Sequence, residues 1–357
     1  MSLLGTLIAL GRRGQGLVWR LLGIASRVDV AAIQAKLETS VRQMGRATAE
    51  IQKTGQARKG LDHRLSAVAA QLEQMQTQLG SHTRGIEGAL RHVDRNVNSL
   101  VRHDYVDQAS LPFPHNVLSQ RFHLWSQNEE DGITLALLKL VGTTNRRFVE
   151  LGAGVNGGNS GFLAEVCGWT GLMVDGSPAR AAKLAARFGR FGVHTQAAWI
   201  TTEGVNQLIA DHGLTGEVDL LSLDIDGNDY WVWEQLDICS PRVVILEFNP
   251  AFGPERAVTV RYDPAFDRGQ YKSVTHQFYG ASLAALTRLS REKGYRLVLV
   301  EPRGANAYFL RNDVGEGVPA ASPGTIHPDP AADPQPLFDL IAEADLPLVD
   351  LESVATE

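Results

Sequence analysis

Phe148-Val149-Glu150-Leu151-Gly152-Ala153-Gly154-Val155-Asn156-Gly157 sets the frame of this chain, and Asp175 follows Gly157 by eighteen residues. A short apolar run carries an acidic residue and breaks into a glycine turn. A second apolar run then closes on a carboxylate. Glycines let the backbone turn sharply and approach a ligand, and a carboxylate at that distance can accept from two ribose hydroxyls. This is the layout of a nucleotide-cofactor site at the head of an α/β sheet. Gly152-x-Gly154-x-x-Gly157 also satisfies the dinucleotide fingerprint, so the turn alone leaves a nicotinamide cofactor open.

Outward from this stretch the pattern alternates. Apolar runs at 148–151, 171–174, 193–197, 218–223 and 243–247 read as strands, separated by helix-like segments at 161–167, 179–188, 205–212 and 230–236. Strand-helix alternation of this pitch predicts a parallel sheet covered on both faces. A helix over 282–293 and two further strands, 296–300 and 305–310, follow. The short Pro/Gly turn joining those strands predicts a hairpin with an antiparallel last strand. The tail at 313–357, rich in Pro, Ala, Asp and Gly, is expected to be mostly irregular.

Upstream the chain has a different character. From about 28 to 102 there is no proline and no aromatic residue. A 4-3 spacing from Leu61 picks out Leu61, Leu65, Val68, Leu72, Met75, Leu79, His82, Ile86, Ala89, Val93, Asn96 and Leu100, ten of twelve apolar. That is a sustained heptad seam, and 28–105 reads as a coiled coil whose phase slips around Gly55 to Gly60. A stripe of that length needs a partner helix, and the simplest partner is another copy of the chain. Pro112 and Pro114 close this arm, and 106–312 reads as the α/β domain. The first 27 residues are apolar but interrupted by Arg12, Arg13 and Arg20 and by glycines, too broken for a spanning helix. They suit an amphipathic helix lying on an anionic membrane, or one packed on the arm itself.

Composition limits the rest. With 44% hydrophobic and 21% charged residues the chain can build an ordinary core. A net charge of −6 argues against a general nucleic-acid binder. Cys167 and Cys239 are too few for a disulfide framework and read as buried small hydrophobes in a reducing compartment. The expected location is cytoplasmic, with possible peripheral contact at the inner membrane face.

Several motifs together resemble a known family. Glu150-x-Gly152-x-Gly154 is similar to the first motif of class I S-adenosylmethionine-dependent methyltransferases, and Asp175 stands where their ribose-binding carboxylate closes the second strand. Leu221-Ser-Leu-Asp-Ile-Asp-Gly-Asn-Asp-Tyr-Trp resembles the fourth-strand motif of FkbM-type members, and Ser126-Gln127 with Glu130-Asp131-Gly132 resembles a lead-in of FkbM-like proteins. The resemblance covers roughly 120–312. Asp226 stands where Glu is commoner, and Gly157-Gly158-Asn159-Ser160 makes a longer loop than usual. The resemblance implies a Rossmann-like methyltransferase sheet, S-adenosylmethionine as cofactor, and O-methylation of a glycan or glycolipid hydroxyl in cell-surface polysaccharide biosynthesis. The rival is a coiled-coil scaffold whose methyltransferase-like domain binds a ligand without turnover.

The residues agree with that chemistry. Glu150, Gly152, Gly154, Asp175 and Asp224 are the candidate cofactor contacts, with Ala198 or Trp199 near an adenine. Glu150 has a second reading, as a carboxylate bracing the loop. Asp226 and His276 are the candidate catalytic residues, a base being useful for a hydroxyl acceptor. Asp224 with Glu247 and Asn249 has the oxygen-rich character that suits Mg²⁺, although a metal-free site is the favoured reading. Tyr230, Trp231 and Trp233 can stack on a sugar or pack in the core, and Trp125 and Trp169 are equally open.

Overall fold

The computed structural model describes residues 111–354 apart from 332, and helical positions scattered between 36 and 88 whose longest run is 66–78. The chain divides into two units, 1–97 and 98–357. In the helical run of the first unit, Val68, Leu72 and Met75 are half-buried and the other positions exposed. These three belong to the heptad stripe. Most of the expected coiled coil, and all of the expected amphipathic segment 1–27, lie outside the described residues. Among the described residues no helix is long and apolar enough to cross a membrane.

The second unit is built on a seven-stranded sheet in the order β3-β2-β1-β4-β5-β8-β7. Its parallel strands are β1 (Arg147–Leu151), β2 (Thr170–Asp175), β3 (His194–Ala197), β4 (Gly216–Leu223) and β5 (Cys239–Glu247). β7 (Tyr295–Val300) and β8 (Asn306–Arg311) form the expected hairpin, with β8 antiparallel to both β5 and β7. The result is a mostly parallel, Rossmann-like α/β sheet.

Side chains alternate across each strand, so one apolar run supplies both faces. Val149, Leu151, Leu172, Val174, Leu221 and Leu223 share a core with α4 (Val205–Ala210), α5 (Asp229–Gln235) and α6 (Leu283–Glu292). Phe148, Met173, Leu220, Val243 and Ile245 pack on the other face against α1 (Glu130–Val141), α2 (Gly161–Glu165) and α3 (Pro178–Phe188). Local signals start the helices where they are needed. Ser177 caps α3, its side chain accepting from the Arg180 amide, and Pro178 takes the first turn, where its missing N–H costs nothing. Ser282 caps α6 in the same way. Trp233 is 1% exposed, and its indole N–H donates to Ser290 Oγ on α6 at 3.1 Å, so core packing claims it. Tyr230, Trp125 and Trp169 are also buried, and Trp231 is held by an indole bond to the Val260 carbonyl at 2.8 Å.

The tail, expected to be mostly irregular, also carries α7 (Gln335–Glu343) and β9 (Leu348–Asp350), which fold back onto the insertion that follows β5. β9 pairs antiparallel with β6 (Val258–Val260) in that insertion. Leu337, Phe338 and Ile341 of α7 share a third core with Phe252, Val258, Val260, Phe266 and Phe278. The Pro/Asp/Ala composition concealed these apolar residues, whose spacing matches one helical face. Neither short strand is viable alone, and each completes the other.

Phe338 stacks on Phe252 with ring centroids 6.0 Å apart, under the Arg256 guanidinium. Phe338→Ala is therefore expected to cost about 3 kcal/mol. Urea denaturation checks this, and an unchanged midpoint would show that the tail does not stabilise the domain.

Candidate functional site

The carboxyl ends of the strands define the site. Where the order reverses between β1 and β4, the chains leaving these strands diverge and open a crevice. A cleft of about 670 Å³ lies there, and Glu150, Gly152, Gly154, Asp175, Asp224 and Asp226 all line it, with Ala198 and Trp199. Distant stretches of sequence thus reach one place.

The glycine turn is fastened to its neighbours. The amides of Gly152 and Ala153 both donate to the Val174 carbonyl at 2.9 Å, and the Asp224 amide donates to the Leu151 carbonyl at 2.9 Å. Gly152 has φ +95°, and a Cβ there would collide with the Asp224 carbonyl oxygen. Only glycine allows β1 and β4 to approach so closely at this point.

Glu150 faces the side of the sheet that carries Phe148 and lies under the loop 157–160. It is 1% exposed. Ser160 Oγ donates to Oε2 at 2.6 Å, and the Asn159 amide donates to Oε1 at 3.2 Å. Both oxygens are therefore engaged in bracing the loop, the second of its two sequence readings. Burial raises its pKa to about 7, although these hydrogen bonds pull the other way. Asp175 is also held by donors: Gly154 N–H on Oδ2 at 3.0 Å, and Ser177 N–H and Arg180 Nε on Oδ1, each at 2.8 Å.

The opposite wall is acidic. Asp224, just beyond β4, lies beside Glu247 at the end of β5, and one carboxylate oxygen of each, with one of Asp226, falls within 4.8 Å of the others. Burial pushes Asp224 up to about 7 and Glu247 well above its usual range, and the neighbouring acids Asp224, Asp229 and Asp226 raise Glu247 further. Asp229 is fully buried beneath them and ties the turn together, accepting from the amides of Ile225 at 2.8 Å and Gly227 at 2.9 Å. Asp226 sits on this turn with φ +59°, a strained value for a residue with a side chain, and pairs with Arg268.

Two sequence candidates lie apart from this group. His276 is exposed and does not line the cleft; it contributes only its carbonyl, which accepts from Arg268 Nη2 at 3.3 Å. Asn249 is engaged by its neighbours: its Oδ1 accepts from the Ala251 amide, and its Nδ2 donates to the carbonyls of Gln277 and Tyr279. It anchors the insertion. That insertion supplies residues that sequence reading missed: Phe266, Asp267 and Arg268 line the cleft, and the Arg268 guanidinium lies 4.0 Å from the Tyr279 ring centroid. Gln127 and Asn306 also line the cleft. Gln127 had a signal in Asp131, whose carboxylate gathers the amides of Leu124, Trp125 and Ser126 and shapes the loop leading to it.

No protein-family model matches this sequence, and no curated protein sequence is similar to it. A solved structure, that of TnmH, aligns over 76% of this chain and 70% of its own at 17% identity. The TM-score of 0.30 is too low for this likeness to carry an argument.

Two measurements check the site. Glu150 has a folded-state pKa near 7 against an ordinary 4.5, so folding takes up a proton between those values. Its contribution to stability is complete below pH 4.5 and is lost as the pH rises through 7. Glu150→Gln is expected to flatten part of the fall in denaturant midpoint across that window, and equal slopes for the two proteins would contradict it. Gly152→Ala is expected to destabilise far more than Gly168→Ala, which has a similar φ of +70° but open space around its Cβ position. Comparison of melting temperatures isolates the collision from the backbone strain.

Proposed function

We propose that this chain is an S-adenosylmethionine-dependent O-methyltransferase acting on a glycan or glycolipid hydroxyl. One observation carries the reading. The Gly152–Gly154 turn, Asp175 and Asp224 converge at the strand-order reversal of a sheet that has an antiparallel strand between β5 and β7. Nicotinamide-binding sheets usually lack that last hairpin.

The residues fit the cofactor. Gly152 puts no side chain between backbone and cleft. Asp175 Oδ2 accepts from Gly154 and keeps lone-pair capacity for a ribose hydroxyl. A second hydroxyl on Oδ1 requires Arg180, whose side chain is 55% exposed, to swing out. Asp224 and the carbonyls near Gly152 offer acceptors for an ammonium group. Trp199, 59% exposed, offers a ring face for a purine. When bound, the sulfonium donor supplies an electrophilic methyl group. Holding the two reactants in line then carries much of the rate. The Asp224–Glu247 pair, perturbed toward neutrality, suits the exchange of a proton with an acceptor hydroxyl.

For the acceptor, Asn228, Asp226, Asp267 and Arg268 with Phe266 give polar groups beside an aromatic face, which suits a hydroxyl-rich ring. The heptad stripe supports a homo-oligomer joined through its arms. The arginine-flanked segment 1–27 supports peripheral contact with the inner membrane face, where glycolipid precursors would be in reach of a cytoplasmic enzyme.

Calorimetric titration of S-adenosylmethionine tests the reading. Binding is expected, and Asp175→Ala should weaken it by about 2 kcal/mol, or roughly thirtyfold, by removing a charged acceptor. Tight NADH binding without binding of the methyl donor would overturn it. Donor binding without turnover on glycan extracts would favour the scaffold alternative.

A further inference from the structure

We propose that Asp224, Asp226 and Glu247 form a divalent-cation site at the acceptor end of the cleft. The proposal deepens the methyl-transfer reading and rests on it for the cation's chemical use, although binding itself can be measured independently. Each residue offers one carboxylate oxygen, and the three oxygens lie within 4.8 Å of one another. Ligands on opposite sides of an ion are separated by up to twice the metal–oxygen distance, roughly 4.2 Å for Mg²⁺ and about 5 Å for Ca²⁺. The 4.8 Å limit lies inside the span around Ca²⁺ and close to that around Mg²⁺, so the triad is near the geometry of a hard dication.

Acidic clusters are common, and this one is distinguished by Glu247. Its residue is 8% exposed and lines the cleft, yet its Oε2 is buried with no hydrogen-bond partner. Such an atom loses its hydration without compensation unless a ligand meets it. The frame around the cluster is also committed. Asp229 pins the turn on both sides of Asp226, and Asn228 Nδ2 donates to the Asp263 carbonyl at 2.7 Å. The strained backbone of Asp226 is thereby held in place, so its carboxylate reaches the other two at little further entropic cost. Present compensation is incomplete: one guanidinium, Arg268, pairs with Asp226, while the Oε2 of Glu247 is buried without a partner. A dication would meet all three carboxylates.

Three carboxylates leave a hexacoordinate ion room for other oxygens. An acceptor hydroxyl nearby would release its proton to solvent more readily. Its oxygen then forms a bond to the methyl carbon as the carbon–sulfur bond breaks, and the sulfur leaves with the electron pair.

The full chain, stripped with a chelator and dialysed, is titrated with Mn²⁺, and the EPR signal of the free aqua ion is followed. One Mn²⁺ bound per chain is expected, displaced by excess Mg²⁺ or Ca²⁺. Glu247→Gln should weaken it at least tenfold. Asp226→Asn, on an exposed turn, should also weaken it at least tenfold and abolish the Mn²⁺-dependent rise in melting temperature, which keeps the test valid if Glu247→Gln does not fold. Arg268→Ala should tighten binding by removing a competing cation. No Mn²⁺ bound at millimolar concentration, or equal affinity in wild type and Asp226→Asn, would overturn the proposal. A parallel S-adenosylmethionine titration in chelator separates the two readings. Mn²⁺ binding without donor binding sinks methyl transfer but not the cation site, and the converse sinks the cation site alone.

Discussion

The Val174 carbonyl receives two hydrogen bonds, from Gly152 and Ala153, and the rest of the site depends on that fork. It clamps the end of β1 to the end of β2, while Gly152, lacking a Cβ, lets the Asp224 carbonyl close in from β4. Three strand ends are thus fixed within a few ångströms by backbone groups alone. The side chains that enter the cleft from the ends of β1, β2 and β4 inherit their positions from this junction. An added methyl would force apart the two strands between which the crevice opens.

Around the junction, buried carboxylates have divided tasks. Glu150, Asp131 and Asp229 face backbone amides or hydroxyls and hold loops: 157–160, the lead-in at 124–126 and the turn at 225–229. Each is raised toward neutrality by burial, to about 7, 6 and 7 respectively, and each is compensated by donors from the chain. Asp224 and Glu247 differ. They face each other and the cleft, and the Oε2 of Glu247 has no donor. The difference in partners, more than the degree of burial, separates scaffold acids from those open to a ligand.

The insertion after β5 and the C-terminal tail form a small unit of their own. Its two-stranded sheet and apolar core hold Phe266, Asp267 and Arg268 at the rim of the cleft. Asn249, at the exit of β5, ties the insertion down through the Gln277 and Tyr279 carbonyls. The acceptor side of the cleft is therefore built by a segment about forty residues beyond Asp226 in the chain, steadied by a tail still further away.

Local patterns determined much by themselves. Continuous apolar runs, glycine breaks and strand-helix alternation specified the strands, their parallel sense and the closing hairpin, because these depend on near neighbours in sequence. The same patterns brought Glu150, Gly152, Gly154, Asp175, Asp224 and Asp226 to one end of the sheet, since each lies on or just beyond a strand. Tertiary structure alone decided which carboxylates are braced and which face the cleft. The backbone and hydroxyl donors of Glu150 in the loop 157–160 are near in sequence, but Ser222 beside it and the partners of Glu247, Asp226 and Asn249 come across strands or from the insertion. It also removed His276 from the cleft and brought in Arg268, eight residues away in the same insertion. Loop direction there is set by packing of Phe266 and Phe278 against a helix some sixty to seventy residues downstream, and no local periodicity encodes a contact of that range.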